Sequence, residues 1–178
     1  MQRGRRRLIG AAFVVAMIVV PSVLAVRFYR HKRNEPLAVG SVMPALEVRP
    51  VNGADTLGQK GRHVLLFFSP ACSDCGATLT QLEQLRERHA DWFRGERALK
   101  WSLISISGDD ETKAFAETKS WPVYQDARYG ATVIQPGESI PYLILVDESG
   151  SVRHRHSGER TTEQLEELLD KFFRTGAV

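Results

Sequence analysis

The chain has 178 residues, 43% of them hydrophobic and 25% charged, which supports one globular domain with a real core plus an appendage. Its net charge of +3 is unevenly held: residues 1–36 carry eight Arg/Lys and one acid, leaving 16 basic and 20 acidic residues in the remainder. The basicity therefore belongs to the N-terminus, and the globular part offers no nucleic-acid face.

The N-terminus reads MQRGRRR, then an uncharged apolar run of nineteen residues from Leu8 to Val26, then RFYRHKR. That length is about enough for a helix to cross a bilayer, and Pro21 near its far end is tolerable there. A cleaved signal peptide has a shorter apolar core of ~7–15 residues, so length favours a retained anchor, although Val23-Leu24-Ala25 would pass as a cleavage site. Arg3, Arg5, Arg6 and Arg7 balance Arg27, Arg30, Lys32 and Arg33, so flanking charge does not orient the span. The expected organisation is a basic flank 1–7, a transmembrane signal anchor 8–26, a tether 27–38 and a folded domain 39–178.

Within the domain, Ala45–Val48 and Asp55–Leu57 flank the turn dipeptide Asn52-Gly53 and predict a small hairpin. An apolar strand follows over 63–69, then a long helix over 72–93 with Leu79, Leu82 and Leu85 on one face and Trp92 or Phe93 at its end. WSLISIS, 101–107, reads as a strand. A helix capped by Asp109 or Asp110 is predicted to run through Lys119 with Phe115 inward. Residues 121–140 read as irregular. YLILV, 142–146, is a buried strand, Glu148-Ser149-Gly150 a turn and Val152–His156 a further strand. Thr161 opens a capping box with Gln164, and Leu165, Leu168, Leu169, Phe172 and Phe173 form a helical stripe. The predicted order is β-β-β-α-β-α-β-β-α, a mixed sheet covered by helices. Trp92, Trp101 and Trp121 are expected in the core or at its rim.

The only two cysteines, Cys72 and Cys75, fall where the strand 63–69 meets the following helix. Positions i and i+3 share a helix face, with a Cα separation in the range a disulfide needs, roughly 5–6 Å. Cys72 lies where backbone N–H groups are unpaired and the helix dipole is positive, which favours a thiolate. Cys75, one turn inside, is shielded and able to close the ring. This is the layout of a dithiol that cycles between reduced and oxidised forms.

With CxxC after a buried strand, SIPYLILVDESGSV later in the chain and a terminal hairpin-helix, residues 39–175 resemble the thioredoxin fold. The anchor, the extension VGSVMPALEVRPVNG and an inserted segment are similar to the membrane-tethered TlpA/ResA/CcmG-type thiol-disulfide oxidoreductases. FFSPACSDC also resembles thioredoxin-like accessory proteins of methylamine dehydrogenase maturation. The resemblance implies a thioredoxin-like α/β fold in which a mixed central sheet is flanked by helices, preceded by a β-hairpin extension and a transmembrane helix. It implies a cis peptide bond before Pro141, which faces the dithiol and turns the Ile140 backbone toward a substrate strand. Three departures stand out: Ala71 replaces the usual Trp before the first cysteine, Leu66 replaces the buried Asp of thioredoxins, and Thr78 replaces the Glu of the TlpA/ResA type. Asp74 is then the only local acid, with Ser73 keeping the loop polar. A negative charge beside Cys72 opposes its thiolate, which points toward a reducing rather than an oxidising pair. Asp74 as a helix cap is the alternative role.

Competing chemistries fit less well. A zinc site would need two more ligands than one CxxC supplies, with only His154 and His156 sharing a strand face. A static disulfide closing so short a loop would stabilise little. A peroxiredoxin needs a proline where Leu65 stands, and a Sco-type copper-delivery domain needs three residues between its cysteines. A redox-inert module that holds clients along Ile140–Pro141 is the binding-class alternative. The expected chemistry needs no cofactor and no metal: Cys72 attacks a disulfide in a client protein and Cys75 resolves the mixed disulfide. Its electrons would come from an upstream membrane dithiol. Such an enzyme belongs outside the cytoplasm, anchored in the inner membrane with its catalytic domain on the periplasmic side, where cytochrome c or another secreted protein matures.

Overall fold

The computed structural model describes residues 37–52, 57, 61–128, 130, 133–134 and 137–178. The apolar run 8–26 expected to form an anchor lies outside these residues. Among the described residues no helix is long and apolar enough to cross a membrane.

Among the described residues six strands form one sheet: β1 (Val48–Pro50), β2 (Arg62–Phe68), β3 (Leu99–Ser105), β4 (Val123–Asp126), β5 (Tyr142–Val146) and β6 (Val152–Ser157). Their order across the sheet is β1-β4-β3-β2-β5-β6. β2, β3 and β4 run parallel, whereas β1 pairs antiparallel with β4, β5 with β2, and β6 with β5. Among the described residues three α-helices accompany it: α1 (Ser73–Arg88), α2 (Asp109–Glu117) and α3 (Thr162–Thr175). The fold is a thioredoxin-like α/β arrangement.

β2 is central because both of its faces must be covered. All seven of its residues are buried, and from Val64 to Phe68 the run has no polar side to show to water. Val64, Leu66 and Phe68 point to one face with Leu79, Leu82 and Leu85 of α1, Ala116 of α2 and Leu165, Leu168, Leu169 and Phe172 of α3. Leu65 and Phe67 point to the other, with Ile104, Tyr142, Ile144 and Val152. All three helices therefore pack on one face. Among the described residues the second is covered by Val48 of β1 and by Leu37, Met43, Leu46, Val133, Ile134 and Ile140 from outside the strands and helices. Trp92, Trp101 and Trp121 are core residues.

Arg62 ties the start of β2 to the end of α3. It donates to Glu148 Oε1 at 2.6 Å, to the Phe172 carbonyl at 3.2 Å and to the Phe173 carbonyl, satisfying acceptors that a helix C-terminus leaves open. Gly176 ends α3 at φ 68°, and a Cβ there would lie 3.3 Å from the Arg62 guanidinium. At the other end of α3 the predicted capping box is present: Gln164 N–H donates to Thr161 Oγ1, and Thr161 N–H to Gln164 Oε1.

Several elements differ from expectation for local reasons. β1 is a real strand and pairs with β4; of the second arm of the expected hairpin, Asp55 and Thr56 lie outside the described residues and Leu57 is in no strand. Of the expected turn Asn52-Gly53, Gly53 lies outside the described residues, and Asn52 makes a long-range contact. Its side-chain amide donates to the Trp121 carbonyl at 2.7 Å and accepts from Val123 N–H at 3.0 Å, fastening β1 to the entry of β4. The stretch 121–140 contains β4, a strand too short and too polar at its end (VYQD) to show a period. The helix expected to run to 93 stops at Arg88 and continues as a 3₁₀ turn, Ala90–Phe93, which buries Trp92 while its ring stacks on His89 at 4.1 Å. α2 starts after Gly108, with no side-chain cap. Asp109 is instead ion-paired with Arg49.

Thr161→Ala should lower unfolding stability by about 1 kcal/mol through loss of the cap, measured by urea denaturation, without altering the thiol reactivity of Cys72.

Candidate active site

The β2–α1 junction builds the site from ordinary helix-start chemistry. Cys72 is the N-cap of α1, with extended backbone angles (φ −88°, ψ 117°), and its sulfur accepts the Cys75 N–H at 3.2 Å. The cysteine thus does the work that Ser, Asp or Asn does at other helix starts. Asp74, the expected alternative cap, lies in the first turn instead, exposed, with its Oδ1 accepting from Ser73 Oγ at 3.1 Å. Its charge faces solvent at the positive end of the helix, a favourable place for an acid.

The loop is pinned from below. Cys72 N–H donates to the Ser69 carbonyl at 3.1 Å, and Ser69 Oγ and Ser107 Oγ lie 2.7 Å apart, tying the end of β2 to the segment after β3. Both cysteines are free thiols in different surroundings: Cys72 is partly exposed and Cys75 fully buried. Burial pushes the Cys75 thiol up to about 12, helped by its hydrogen bond to the Cys72 sulfur and by the nearby charges of Cys72 and Asp74, against an opposing backbone hydrogen bond from Ser69. Cys75 therefore keeps its proton at neutral pH.

The positions that would hold an acid are apolar or neutral. Leu66 is fully buried between Leu103 of β3 and Leu143 of β5. Thr78, one turn beyond Cys75, is buried, and its hydroxyl has no hydrogen-bond partner among the described residues.

The Ile140–Pro141 bond is cis, as the resemblance implied. Register places it at the dithiol end of the sheet: Tyr142 lies beside Phe67, so Pro141 is level with Phe68, four residues before Cys72. Ile140, like Cys72, packs against the core cluster that contains Cys75. The structure thus brings Cys72, Ser73, Asp74, Cys75, Ile140 and Pro141 to one end of the sheet.

His154 and His156 do not join them as ligands. Both rings turn toward one Arg160 nitrogen, Nη2, at 3.3 and 3.4 Å. Burial, then the charges of Arg160 and His156, lower His154 to about 4. Among the described residues no group of three or more His, Cys, Asp or Glu is placed to hold a metal ion. Ser69, Ser107, Glu138 and Arg155 carry no spacing that marks them in the sequence; Ser69 meets Ser107 through the β2–β3 register, and Glu138 meets Arg155 through the β5–β6 register.

With this geometry in place, comparison with known proteins agrees. Residues 53–173 match the model of the Thioredoxin-like domain family. The chain belongs to that family. The thioredoxin-like protein YneN of Bacillus subtilis is 24% identical over 78% of this chain and 83% of its own length. Thiol-disulfide oxidoreductase ResA of Bacillus cereus is 23% identical over 89% of this chain and 93% of its own. Among solved structures, the thioredoxin domain of a thiol-disulfide oxidoreductase from Bacteroides vulgatus superposes with a TM-score of 0.58 at 19% identity, covering 77% of this chain and 99% of that one.

Two predictions follow from the thioredoxin-like site's electrostatics and packing. Because folding raises the Cys75 pKa from 9.0 to about 12, its contribution to stability is complete below pH 9 and is lost as pH rises toward 12. Denaturation of the reduced chain across that window should show this loss, and Cys75→Ala should remove it. Thr78→Val, which discards a buried hydroxyl without a partner, should stabilise the chain by about 1 kcal/mol in the same assay.

Proposed function

We propose that the protein is a thiol–disulfide oxidoreductase that reduces disulfides in client proteins through Cys72 and Cys75. The observation that carries this reading is the asymmetry of the pair: a partly exposed sulfur at a helix start, and a buried thiol held protonated one turn inside. The Cys72 thiolate attacks one sulfur of a client disulfide. A Cys72–client S–S bond forms, the client S–S bond breaks, and the departing client thiolate takes up a proton. Cys75 then gives up its proton and attacks the Cys72 sulfur. The Cys72–Cys75 disulfide forms and the second client thiol leaves, so the client gains two electrons and the enzyme pair is oxidised. A second dithiol, membrane-bound and upstream, restores the pair; no cofactor takes part.

The reductive direction is supported by the missing carboxylates and by Asp74, whose charge opposes a thiolate nearby. Ile140 and Pro141 form the docking edge for the client chain. The apolar run 8–26 supports an uncleaved inner-membrane anchor with the domain outside the cytoplasm, where disulfides arise and selected thiols must be kept open. Clients of this class include apocytochrome c and other maturing secreted proteins.

The test is trapping. Cys75→Ser should accumulate mixed disulfides with clients on non-reducing gels, because the attacking sulfur remains and the resolving one is gone; Cys72→Ser should accumulate few. A reversed pattern would make Cys75 the nucleophile and defeat the proposed order of steps.

A further inference from the structure

The segment before Pro141 is held by the neighbouring strand β6. Arg155 Nη1 donates to Glu138 Oε1 at 2.5 Å and to the Tyr142 hydroxyl at 3.2 Å, so one guanidinium grips the chain on both sides of Ile140–Pro141. The side chains of that ion pair are only 27% and 21% exposed, a depth at which salt screens little. Two positions further along β6, Ser157 Oγ accepts the Ser139 N–H at 2.7 Å and donates to the Ser139 carbonyl at 3.0 Å. Gly158 N–H donates to the Pro141 carbonyl at 2.9 Å. Residues 138, 139, 141 and 142 are thus each fastened to β6 or the turn after it. Ile140, in their midst, makes no hydrogen bond of its own through its backbone among the described residues.

An unpaired peptide N–H and C=O between anchored neighbours is what an incoming strand requires for pairing, and these groups lie at the dithiol end of the sheet. We infer that the Glu138–Arg155 ion pair, with Ser157, positions the Ile140 peptide groups to receive a client polypeptide beside its disulfide. This rests on the oxidoreductase reading and extends it to the residues that set client affinity. The clamp meets neither sulfur, so its loss weakens docking and leaves the exchange chemistry as it was.

The pair can be tested by charge reversal. The full chain in mild detergent is assayed on insulin, a polypeptide disulfide that must be docked, with dithiothreitol as donor. The pre-reduced chain is assayed separately on DTNB, a small disulfide with no strand to pair. Glu138→Arg and Arg155→Glu should each raise KM for insulin about tenfold, within the range that misplacing a binding segment by a fraction of an ångström produces, with the DTNB rate unchanged. The double reversal, which restores an ion pair with its signs exchanged, should recover most of the insulin KM. An unchanged insulin KM in both single variants overturns the clamp. So does a loss shared equally by DTNB, or one that the double variant fails to repair. A wild-type chain active on DTNB but not on insulin also overturns it, whereas a wild type inactive on both probes overturns the oxidoreductase reading and the clamp with it.

Discussion

The hydrogen bond from the Cys75 N–H to the Cys72 sulfur is the contact on which the site depends. A helix must satisfy its first N–H groups, and here the acceptor is the group that carries the proposed reactivity. The same bond that starts α1 fixes where the sulfur points and places it against the positive end of the helix. The position is held from the far side by burial of Leu79, Leu82 and Leu85 against β2, each worth about 1.5–3 kcal/mol of transfer from water. Helix packing, helix initiation and sulfur placement are therefore one arrangement. Because Cys75 lies on the buried side of the first turn, the rotation of α1 that fills the core also makes the two thiols unequal.

Much of this was legible in the sequence because it rests on local rules. The run Val64–Phe68 is apolar throughout and reads as a buried strand, YLILV reads likewise, and the stripe from Leu165 to Phe172 with its capping box marks α3. The spacing of Cys72 and Cys75 at a strand–helix junction carried the site, and the stretch around Pro141 carried its other half. What the sequence hid depends on long-range pairing. β4 is four residues whose status as a strand comes from β3 and β1 on either side of it. Asn52 looks like a turn residue until the backbone of residues 121–123 arrives to meet its amide. Glu138 and Arg155 are seventeen positions apart and become neighbours only through the β5–β6 register.

The acid-free surroundings of the dithiol also follow from packing. Leu66 stands in a row with Leu103 and Leu143 across three adjacent strands, and a carboxylate there would be buried among leucines with nothing to pair it. The apolar row belongs to the same core cluster as Cys75, and burial is the chief reason its thiol stays protonated. The core composition and the proton affinity of the second cysteine are two aspects of the same choice of side chains.

The way the chain enters the sheet has its own consequence. Gly40 N–H donates to the Val152 carbonyl, Val152 N–H to Ser41 and Met43 N–H to Gly150, while Ala127 N–H donates to Glu47 at the opposite edge. Residues 40–50 thus form a diagonal girth strap from the β6 edge to β4, where its last residues become the edge strand β1, and it is buckled at the turn between β5 and β6. That buckle is at the end of the sheet away from Cys72, since β5 runs from Tyr142, level with the dithiol, down to Val146. Residues 40–43 are therefore fastened beside the 147–151 turn, at the end of the sheet opposite the reactive sulfurs.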